Sequence, residues 1–331
     1  MDLTLKYRPH SWAEIVGQEA IVSILQRQVA TKSWKNTYLF AGPWGCGKTT
    51  TARILANEIN GGEGQPIEID GASNNGVDNI RNLINDAQQC PIDCNYKIYI
   101  IDEAHQLTKA AWDAALKLIE EPPEFAVFIF CTTNIEKIPN TILSRVQTFQ
   151  FRRVSRDVIV NRLQFIMNEE FSGVSYDNDA LERIAILADG HVRDSIKLLD
   201  KCLSSSDCIS LDSVESVLGL VKISSFISLN NAIIKKDLSG GMREIDHIRS
   251  FTSDFDRVYD SFLDFSINCA LFANIGDANK VSGMPVSAMD KIITDKGINS
   301  ILVERLINLR KYMNSSNAEA LLKTVLLEMC Q

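Results

Sequence analysis

Residues 42–49 have the sequence GPWGCGKT, which fits the pattern G-x-x-x-x-G-K-T. A short apolar run, Tyr38–Ala41, precedes the pattern, and Thr49–Asn60 shows the apolar spacing of a helix. The glycines allow a tight turn whose backbone N–H groups face inward, and the N-terminus of the following helix favours an anion. The sequence therefore predicts a strand, a phosphate-binding loop and a helix in this order.

A second element lies downstream, where the apolar run Ile98–Ile101 ends in Asp102 and Glu103. In such a pair of motifs, Lys48 reaches the β- and γ-phosphates, and Thr49 and Asp102 hold Mg²⁺. Glu103 is placed to orient and deprotonate an attacking water. We predict that the chain binds ATP with Mg²⁺ and hydrolyses it. The remaining loop residues predicted to contact the nucleotide are Gly42, Pro43, Gly45, Cys46, Gly47 and Thr50.

The letters D-E-A-H at residues 102–105 also occur in one class of helicases. Four letters are weak evidence, and a two-lobed helicase needs two nucleotide-binding cores. The 331 residues show only one such core, so we reject the helicase interpretation.

Composition is that of an ordinary globular protein, with 45% hydrophobic and 23% charged residues and a net charge of −8. This net charge excludes a nucleic-acid-binding protein that is basic over its whole surface. It does not exclude a local positive surface that binds DNA. No run of eighteen apolar residues and no signal peptide are present, so we expect a cytoplasmic protein with no membrane partner. Cys90 and Cys94 lack a second ligand pair nearby, which favours reduced thiols over a zinc site.

The chain is predicted to have three parts. Residues 1–152 alternate strands and helices, which is typical of an α/β fold with a parallel sheet covered on both faces. Residues 153–220 are predicted to form short helices without strands, and residues 221–331 a second helical domain. The final helix carries an apolar face that we expect to be core. The predicted strands are Tyr38–Ala41, Pro66–Asp70, Lys97–Asp102, Ala126–Thr132 and Thr148–Phe151.

Five further segments indicate which family the chain resembles. They are residues 5–9 (LKYRP) with 12–18 (WAEIVGQ), residues 132–134 (TTN), residues 142–146 (ILSRV) and residues 190–195 (GHVRDS). Together with residues 100–103 (IIDE) and 118–123 (LIEEPP), they resemble the AAA+ clamp-loader ATPases. Bacterial DNA polymerase III gamma/tau and the replication factor C small subunits are the members they resemble. The resemblance covers roughly residues 1–220, and it implies an AAA+ core, a helical lid and a helical collar that mediates oligomerisation.

The resemblance also implies roles for residues around the nucleotide. Tyr7, Arg8, Pro9, Val16 and Gln18 would form the adenine pocket. The alternative for this arm is that it merely caps the core. The polar group that senses the γ-phosphate at a strand end would be Thr133, and the arginine that joins the lid to the γ-phosphate of the same subunit would be Arg193.

The family's Ser-Arg-Cys motif places an arginine at the subunit edge, where it reaches the ATP of a neighbouring subunit. Arg145 matches that arginine, although Val146 stands where the family has cysteine. Such an arginine stabilises charge on the transferring phosphoryl group. The alternative is an exposed arginine in a surface salt bridge.

The resemblance further implies contacts with duplex DNA. Arg81, Thr108 and Lys109 lie near predicted helix starts and would contact DNA phosphates. A solvated surface charge is the alternative for both basic residues. Gamma/tau chains carry a four-cysteine zinc insertion after the phosphate-loop helix, whereas residues 60–65 bridge that place here without cysteine.

These features predict an ATPase subunit of a sliding-clamp loader in DNA replication. Its expected partners are a sliding clamp, primer–template DNA and other loader subunits in a ring, expected to be a pentamer. The brevity of the chain would suit a compact, phage-encoded loader acting in a bacterial or infected-cell cytosol. The alternatives are another AAA+ DNA motor, such as a helicase loader or branch-migration ATPase, and a non-hydrolysing structural subunit. The first usually carries a winged helix, and the second would normally lack Lys48, Glu103 or Arg145.

Overall fold

The computed structural model describes residues 2–277, 281, 283–313 and 317–331. The chain divides into two compact units. Unit 1 comprises Met1–Arg162 and Asp189–Lys197, and unit 2 comprises Leu163–Ala188 and Leu198–Gln331. The division into three domains at residues 152 and 220 stays a prediction.

Unit 1 is built on a five-stranded sheet in the order β2-β3-β4-β1-β5, and every neighbouring pair is parallel. The five predicted strands are confirmed, with ends that differ by one residue at most. Because all the strands run the same way, their carboxyl ends meet at one edge of the sheet. The strands are β1 Thr37–Ala41, β2 Ile67–Asp70, β3 Lys97–Asp102, β4 Ala126–Thr132 and β5 Gln147–Gln150.

The sheet is covered by helices on both faces, because successive side chains of a strand point to opposite sides. In β1, Tyr38 and Phe40 pack into one apolar cluster and Leu39 into the other. The first cluster includes Leu25 and Leu55 from helices on that face. The second includes Trp112 and residues of its neighbouring helix. The helices of this part of the chain are α1 Leu3–Lys6, α2 Glu19–Ala30, α3 Lys48–Ile59, α4 Val77–Ala87, α5 Lys109–Glu120 and α6 Asn140–Leu143.

The rest of the chain is almost entirely helical. One expectation is wrong: the segment 153–220 is not free of strands, because Ser175–Tyr176 (β6) pairs in parallel with Cys208–Ile209 (β7). Pairs this short have too few residues to show a strand pattern in sequence. The helices are α7 Arg156–Glu170, α8 Asn178–Leu187, α9 Val192–Leu203, α10 Leu211–Leu218, α11 Ile223–Ile234, α12 Leu238–Phe251, α13 Phe255–Ile275, α14 Val286–Met289, α15 Lys296–Arg310 and α16 Ala318–Cys330.

The core of unit 2 lies among helices α11, α12, α13, α15 and α16. Tyr259 is fully buried, and its hydroxyl donates to the carbonyl of Leu306 at 2.9 Å. The final helix presents Leu322, Val325 and Leu326 to this core, which confirms the prediction that its apolar face is core.

Among the described residues, no single helix is both long and apolar enough to cross a bilayer. The pair α10 and α11 meets that condition of length and composition only when both are counted together, across a bend of 99°.

Candidate nucleotide-binding site

The loop of residues 42–47 connects β1 to α3 at the carboxyl edge of the sheet. Gly42 has φ 148°, and a Cβ atom there would lie 2.4 Å from the carbonyl oxygen of Phe151. Gly47, the residue before α3, has φ 94° in the left-handed region. Only glycine adopts such conformations readily, so the glycines of the motif are what allow the loop to close over the helix N-terminus.

The lysine of the loop lies inside the turn. Lys48 is buried, and its Nζ donates to the carbonyls of Gly42 at 2.9 Å and Pro43 at 2.7 Å. Burial lowers the pKa of Lys48, and the nearby carboxylates of Glu103 and Asp102 oppose that change. The ammonium group is therefore held at the loop by neutral carbonyls, which anionic phosphate oxygens would replace with stronger bonds.

The hydroxyl of Thr49 donates to Asp102 Oδ2 at 2.7 Å. This contact brings the first residue after Lys48 together with the last residue of β3, as the two motifs predict. The donor set fits Mg²⁺, because that ion prefers hard oxygen ligands and usually takes few of them from protein.

Glu103 follows Asp102 directly and has φ 47° and ψ 41°, in the left-handed region that residues other than glycine rarely occupy. The Thr133 hydroxyl donates to Glu103 Oε2 at 3.1 Å. These two residues follow the neighbouring strands β3 and β4. The structure thus brings together the predicted water-activating carboxylate and the predicted γ-phosphate sensor.

A cavity opens beside the loop within unit 1. Predicted contact residues that line it are Tyr7, Arg8, Pro9, Val16, Gly45, Cys46, Gly47, Lys48, Thr49, Thr50 and Arg193. Further lining residues that the sequence did not indicate are Thr4, Leu5, Glu14, Ile15, Arg162, Val192 and Ile196. The mixture of aliphatic, aromatic and a few polar side chains is what a nucleobase site needs.

The cavity has a basic side. Arg8 Nε donates to the hydroxyl of Thr50 at 3.4 Å, and burial together with the charge of Arg53 lowers the pKa of Arg8. Arg193 is exposed at the cavity wall, at the start of α9. A Cβ atom built on Gly45 would lie 3.6 Å from the Cβ of Arg193, so this residue adjoins the phosphate loop.

Gln18 does not line the cavity, although the resemblance implied a contact with adenine. Its side chain is buried and spans from the loop to the chain after β5: Nε2 donates to the carbonyl of Arg152 at 2.7 Å and lies 3.5 Å from that of Cys46. Its position fits support of the loop better than contact with a base. Gly42 and Pro43 are also absent from the residues that line the cavity, and their carbonyls accept from Lys48 Nζ.

Arg162 is a lining residue that sequence reasoning missed. Its Nη2 donates to the carbonyl of Tyr7 at 3.0 Å, and its guanidinium lies 5.7 Å from the centroid of the Tyr7 ring. Burial lowers the pKa of Arg162, and Glu14 opposes that change. The two residues are 155 positions apart, and no motif surrounds Arg162, so no local signal indicates the contact.

Arg145 follows α6 and is not among the residues that line the cavity of its own chain. Its Nε lies 2.7 Å from Glu120 Oε1, and its Nη1 donates to the carbonyl of Thr141 at 2.7 Å and to Ser144 Oγ at 3.1 Å. The side chain is 39% exposed. Its role toward a neighbouring subunit stays a prediction.

The three predicted DNA contacts belong to two helices that pack against each other, α4 and α5. Arg81 is exposed on α4 and lies 3.2 Å from Asp78 of the same helix. Thr108 precedes α5 and caps it by accepting from Ala111 N at 3.2 Å, and Lys109 is exposed in its first turn. The arrangement offers two cations and a helix N-terminus on one pair of helices.

Comparison with known proteins extends these observations. A family model described as "DNA polymerase III, delta subunit" matches residues 65–155, from just before β2 to just after β5. The tau subunit of DNA polymerase III from Bacillus subtilis is 36% identical over 73% of this chain, and the chain spans 46% of that relative's length. The gamma subunit from Buchnera aphidicola is 30% identical over 80% of this chain and 78% of its own.

Among solved structures, the RuvB Holliday junction branch migration motor of Thermotoga maritima is similar, with a TM-score of 0.53. The match covers 69% of this chain and 79% of that one, at 21% sequence identity. At this identity the likeness concerns the fold alone.

Proposed function

The chain belongs to the DNA polymerase III gamma/tau family and has an AAA+ α/β fold, and on this premise we propose that it is an ATP-hydrolysing subunit of a sliding-clamp loader. The observation that carries the ATPase part is the set of contacts at the carboxyl edge of the sheet: Thr49 with Asp102, and Glu103 with Thr133. The first contact joins the two residues proposed to hold Mg²⁺. The second joins the two residues proposed to position the attacking water.

Binding begins at the loop. Lys48 exchanges its bonds to the carbonyls of Gly42 and Pro43 for bonds to the β- and γ-phosphate oxygens, while the N-terminus of α3 faces the anion. Thr49 and Asp102 would hold Mg²⁺, which when bound neutralises charge on the phosphates. The adenine would occupy the cavity beside Tyr7, Val16 and the other lining residues.

Hydrolysis then requires one proton transfer. A water held between Glu103 and the γ-phosphate attacks phosphorus, and its proton passes to the carboxylate of Glu103. The new P–O bond forms as the bond to the β,γ-bridging oxygen breaks, and ADP leaves with that oxygen. Thr133, already bonded to Glu103 Oε2, would hold the carboxylate and the water in line.

Two arginines would complete the site. We place Arg193 on the γ-phosphate of its own subunit and Arg145 on that of a neighbour. In this scheme hydrolysis depends on assembly, because the Arg145 that acts at each ATP comes from the neighbouring subunit. The assembly would be a ring, a pentamer in our proposal, with residues 1–152 as the ATPase domain, 153–220 as the lid and 221–331 as the collar.

The loader would act on a sliding clamp and on primer–template DNA. ATP binding would favour the ring geometry that opens the clamp, and DNA held by Arg81, Thr108 and Lys109 would trigger hydrolysis and release. The packing of α4 against α5 supports this placement, because it gathers the three residues on one pair of helices.

The alternative, a branch-migration or helicase-loading motor, gains no support from a specific observation. The RuvB likeness is one of fold. Beyond residue 221, the described part of the chain contains no strand, whereas the wing of a winged helix is a β-hairpin.

The test is steady-state ATP hydrolysis by the purified chain with its replication partners. We expect slow hydrolysis by the assembled protein alone and an increase of roughly tenfold or more when a sliding clamp and primed DNA are both added. Glu103→Gln should remove hydrolysis in every condition while leaving ATP binding intact. A rate that does not respond to clamp and primed DNA would refute the loader assignment, and hydrolysis that survives Glu103→Gln would refute the site.

A further inference from the structure

Trp44 is the third residue of the phosphate loop, and it has no role in the scheme above. Its side chain is 55% exposed. It is not among the described residues that line the nucleotide cavity, so stacking on the base does not account for it. Its indole contacts the imidazole of His191 instead, with 5.5 Å between the ring centroids and 48° between the ring planes.

The contact between these rings joins the phosphate loop to α9. Aromatic rings attract one another at centroid separations of about 4.5–7 Å when they are offset or tilted. His191 lies directly before α9, and its side chain is 12% exposed. Its carbonyl accepts from the backbone N–H groups of Asp194 and Ser195, both at 3.1 Å. The imidazole therefore extends from the first turn of α9, and a contact that holds the imidazole also holds that turn.

The backbone of the loop lies against the same turn. Gly45 follows Trp44, and a Cβ atom built on Gly45 would lie 3.4 Å from the Cβ of His191 and 3.6 Å from that of Arg193. These are ordinary van der Waals distances. The ring contact thus lies two residues away from Arg193, which lines the cavity.

The chain that enters α9 is fixed by its backbone. Gly190 has φ 82°, and its carbonyl accepts from Val154 N at 3.0 Å and lies 3.9 Å from Sγ of Cys46. A Cβ atom at Gly190 would lie 2.6 Å from the Cβ of Arg153, so a side chain there would clash. Because the entry is anchored at residue 190, the contacts of residues 191–193 determine how closely the first turn of α9 lies on the loop.

The position of this turn matters because Arg193 is exposed and its side chain is long. Both the turn and the side chain must be ordered for the guanidinium to bond to a phosphate, and ordering costs free energy. A contact that holds the turn before the ligand arrives reduces that cost. It therefore increases the affinity for a ligand that uses Arg193.

We propose that Trp44 is a positioning residue for Arg193: its indole packs on His191 and so holds the first turn of α9 where the guanidinium reaches the γ-phosphate. This inference rests on the proposed ATPase site, in which Arg193 contacts the γ-phosphate of its own subunit. Trp44 itself bonds to no phosphate and stacks on no base. Because ADP lacks the γ-phosphate, the ring contact favours ATP over ADP.

The experiment measures Kd for Mg²⁺-ATP and for Mg²⁺-ADP by isothermal titration calorimetry, and its readout is the ratio of the ADP value to the ATP value. All chains carry Glu103→Gln, so that ATP is not consumed during the titration. The ratio cancels changes that affect both nucleotides alike, such as a distorted loop. The chains compared are the otherwise unchanged chain, Trp44→Ala, Trp44→Phe, His191→Ala, Arg193→Ala and Trp34→Ala.

Arg193→Ala should lower the ratio most, because it removes the contact with the γ-phosphate. Trp44→Ala and His191→Ala should each lower it roughly 2- to 10-fold, as expected for the loss of an aromatic pair. Trp44→Phe keeps an aromatic ring and should retain most of the preference for ATP. In a chain that already carries Arg193→Ala, adding Trp44→Ala should change the ratio no further, because the group that it positions is absent.

Trp34 is the matched control. Its ring also contacts an aromatic neighbour, Tyr96, at 5.2 Å between centroids, but it precedes β1, whereas the phosphate loop follows that strand. Trp34→Ala should therefore leave the ratio as it is in the otherwise unchanged chain.

An unchanged ratio in Trp44→Ala, equal losses of ATP and ADP affinity, or a further loss in the Arg193→Ala background would overturn the inference and leave the ATPase site intact. An effect of Trp44→Ala that His191→Ala does not reproduce would place the indole against another partner, such as a neighbouring subunit, and would also overturn it. Should Trp44→Ala fail to fold, His191→Ala decides by the same ratio. If Arg193→Ala itself left the ratio unchanged, the proposed contact of Arg193 with the γ-phosphate would be wrong, and this inference with it.

Discussion

The role of Lys48 gives the sharpest quantitative prediction. In Lys48→Ala, ATP loses two bonds between an ammonium and phosphate oxygens, each worth about 1.5–3 kcal/mol. When the wild-type lysine bonds to the phosphates, it gives up its bonds to the carbonyls of Gly42 and Pro43. This loss offsets part of the binding free energy that the phosphate bonds contribute. A net loss of about 2–4 kcal/mol corresponds to roughly 30- to 1,000-fold weaker binding.

The assay is isothermal titration calorimetry of Mg²⁺-ATP into each variant. Lys35→Ala is the control: Lys35 is exposed and lies just before the amino end of β1, whereas the loop follows its carboxyl end. The thermal midpoint of Lys48→Ala should stay within a few degrees of wild type, because burial of the charged group is a cost that the substitution removes. An ATP affinity within threefold of wild type, in a folded variant, would refute the assignment of Lys48 to the phosphates.

Three further predictions follow from other parts of the chain. Arg145→Ala and Glu103→Gln should each lower hydrolysis about 100-fold or more, and mixed assemblies should recover activity if Arg145 acts across an interface; no rescue at any ratio would indicate a role within one subunit. Arg162→Ala should weaken ATP binding roughly 5- to 30-fold, because it removes the hydrogen bond that holds Tyr7 at the adenine cavity. Binding of inorganic triphosphate, which has no base, should be unaffected; equal losses of affinity for both ligands in competition assays would contradict this. Burial raises the pKa of Tyr259 to about 12, so between pH 10 and 12 the unfolded chain releases a proton that the folded chain keeps, and stability falls as pH rises. Tyr259→Phe should reduce that slope by about 1.4 kcal/mol per pH unit in denaturant titrations, and an unchanged slope would show that the phenol ionises freely in the folded state.

The sequence was most informative where several local signals agree. The strands of unit 1 were predicted within one residue of their ends. The signal was clearest for the three central strands β1, β3 and β4, because buried parallel strands are nearly continuous apolar runs. The contact of Thr49 with Asp102 was also predictable, since both motifs place their polar residues at the same edge of a sheet.

Other contacts have no local signal. Arg162 meets Tyr7 only because the chain folds back after 155 residues, and a helix that carries an arginine is common. Gln18 was assigned to the adenine pocket by resemblance, but its amide bonds to the backbone of Arg152. His105 lies within a motif whose letters also occur in helicases, and the 3.2 Å distance from its Nδ1 to Glu103 Oε2 could not be expected from the sequence.

If Arg145 reaches the ATP of a neighbouring subunit, as we propose, its pairing with Glu120 would affect assembly. A partly exposed ion pair of this kind is worth at most about 1 kcal/mol, so it holds the guanidinium in a defined place at little energetic cost to its release. A neighbour's γ-phosphate carries more charge than Glu120 and would win the exchange, whereas a neighbour with ADP offers no such competitor. The affinity between subunits of a ring would then depend on whether the neighbouring subunit holds ATP or ADP. Added salt weakens the ion pairs of Arg145 with Glu120 and with the γ-phosphate, so it would reduce that dependence.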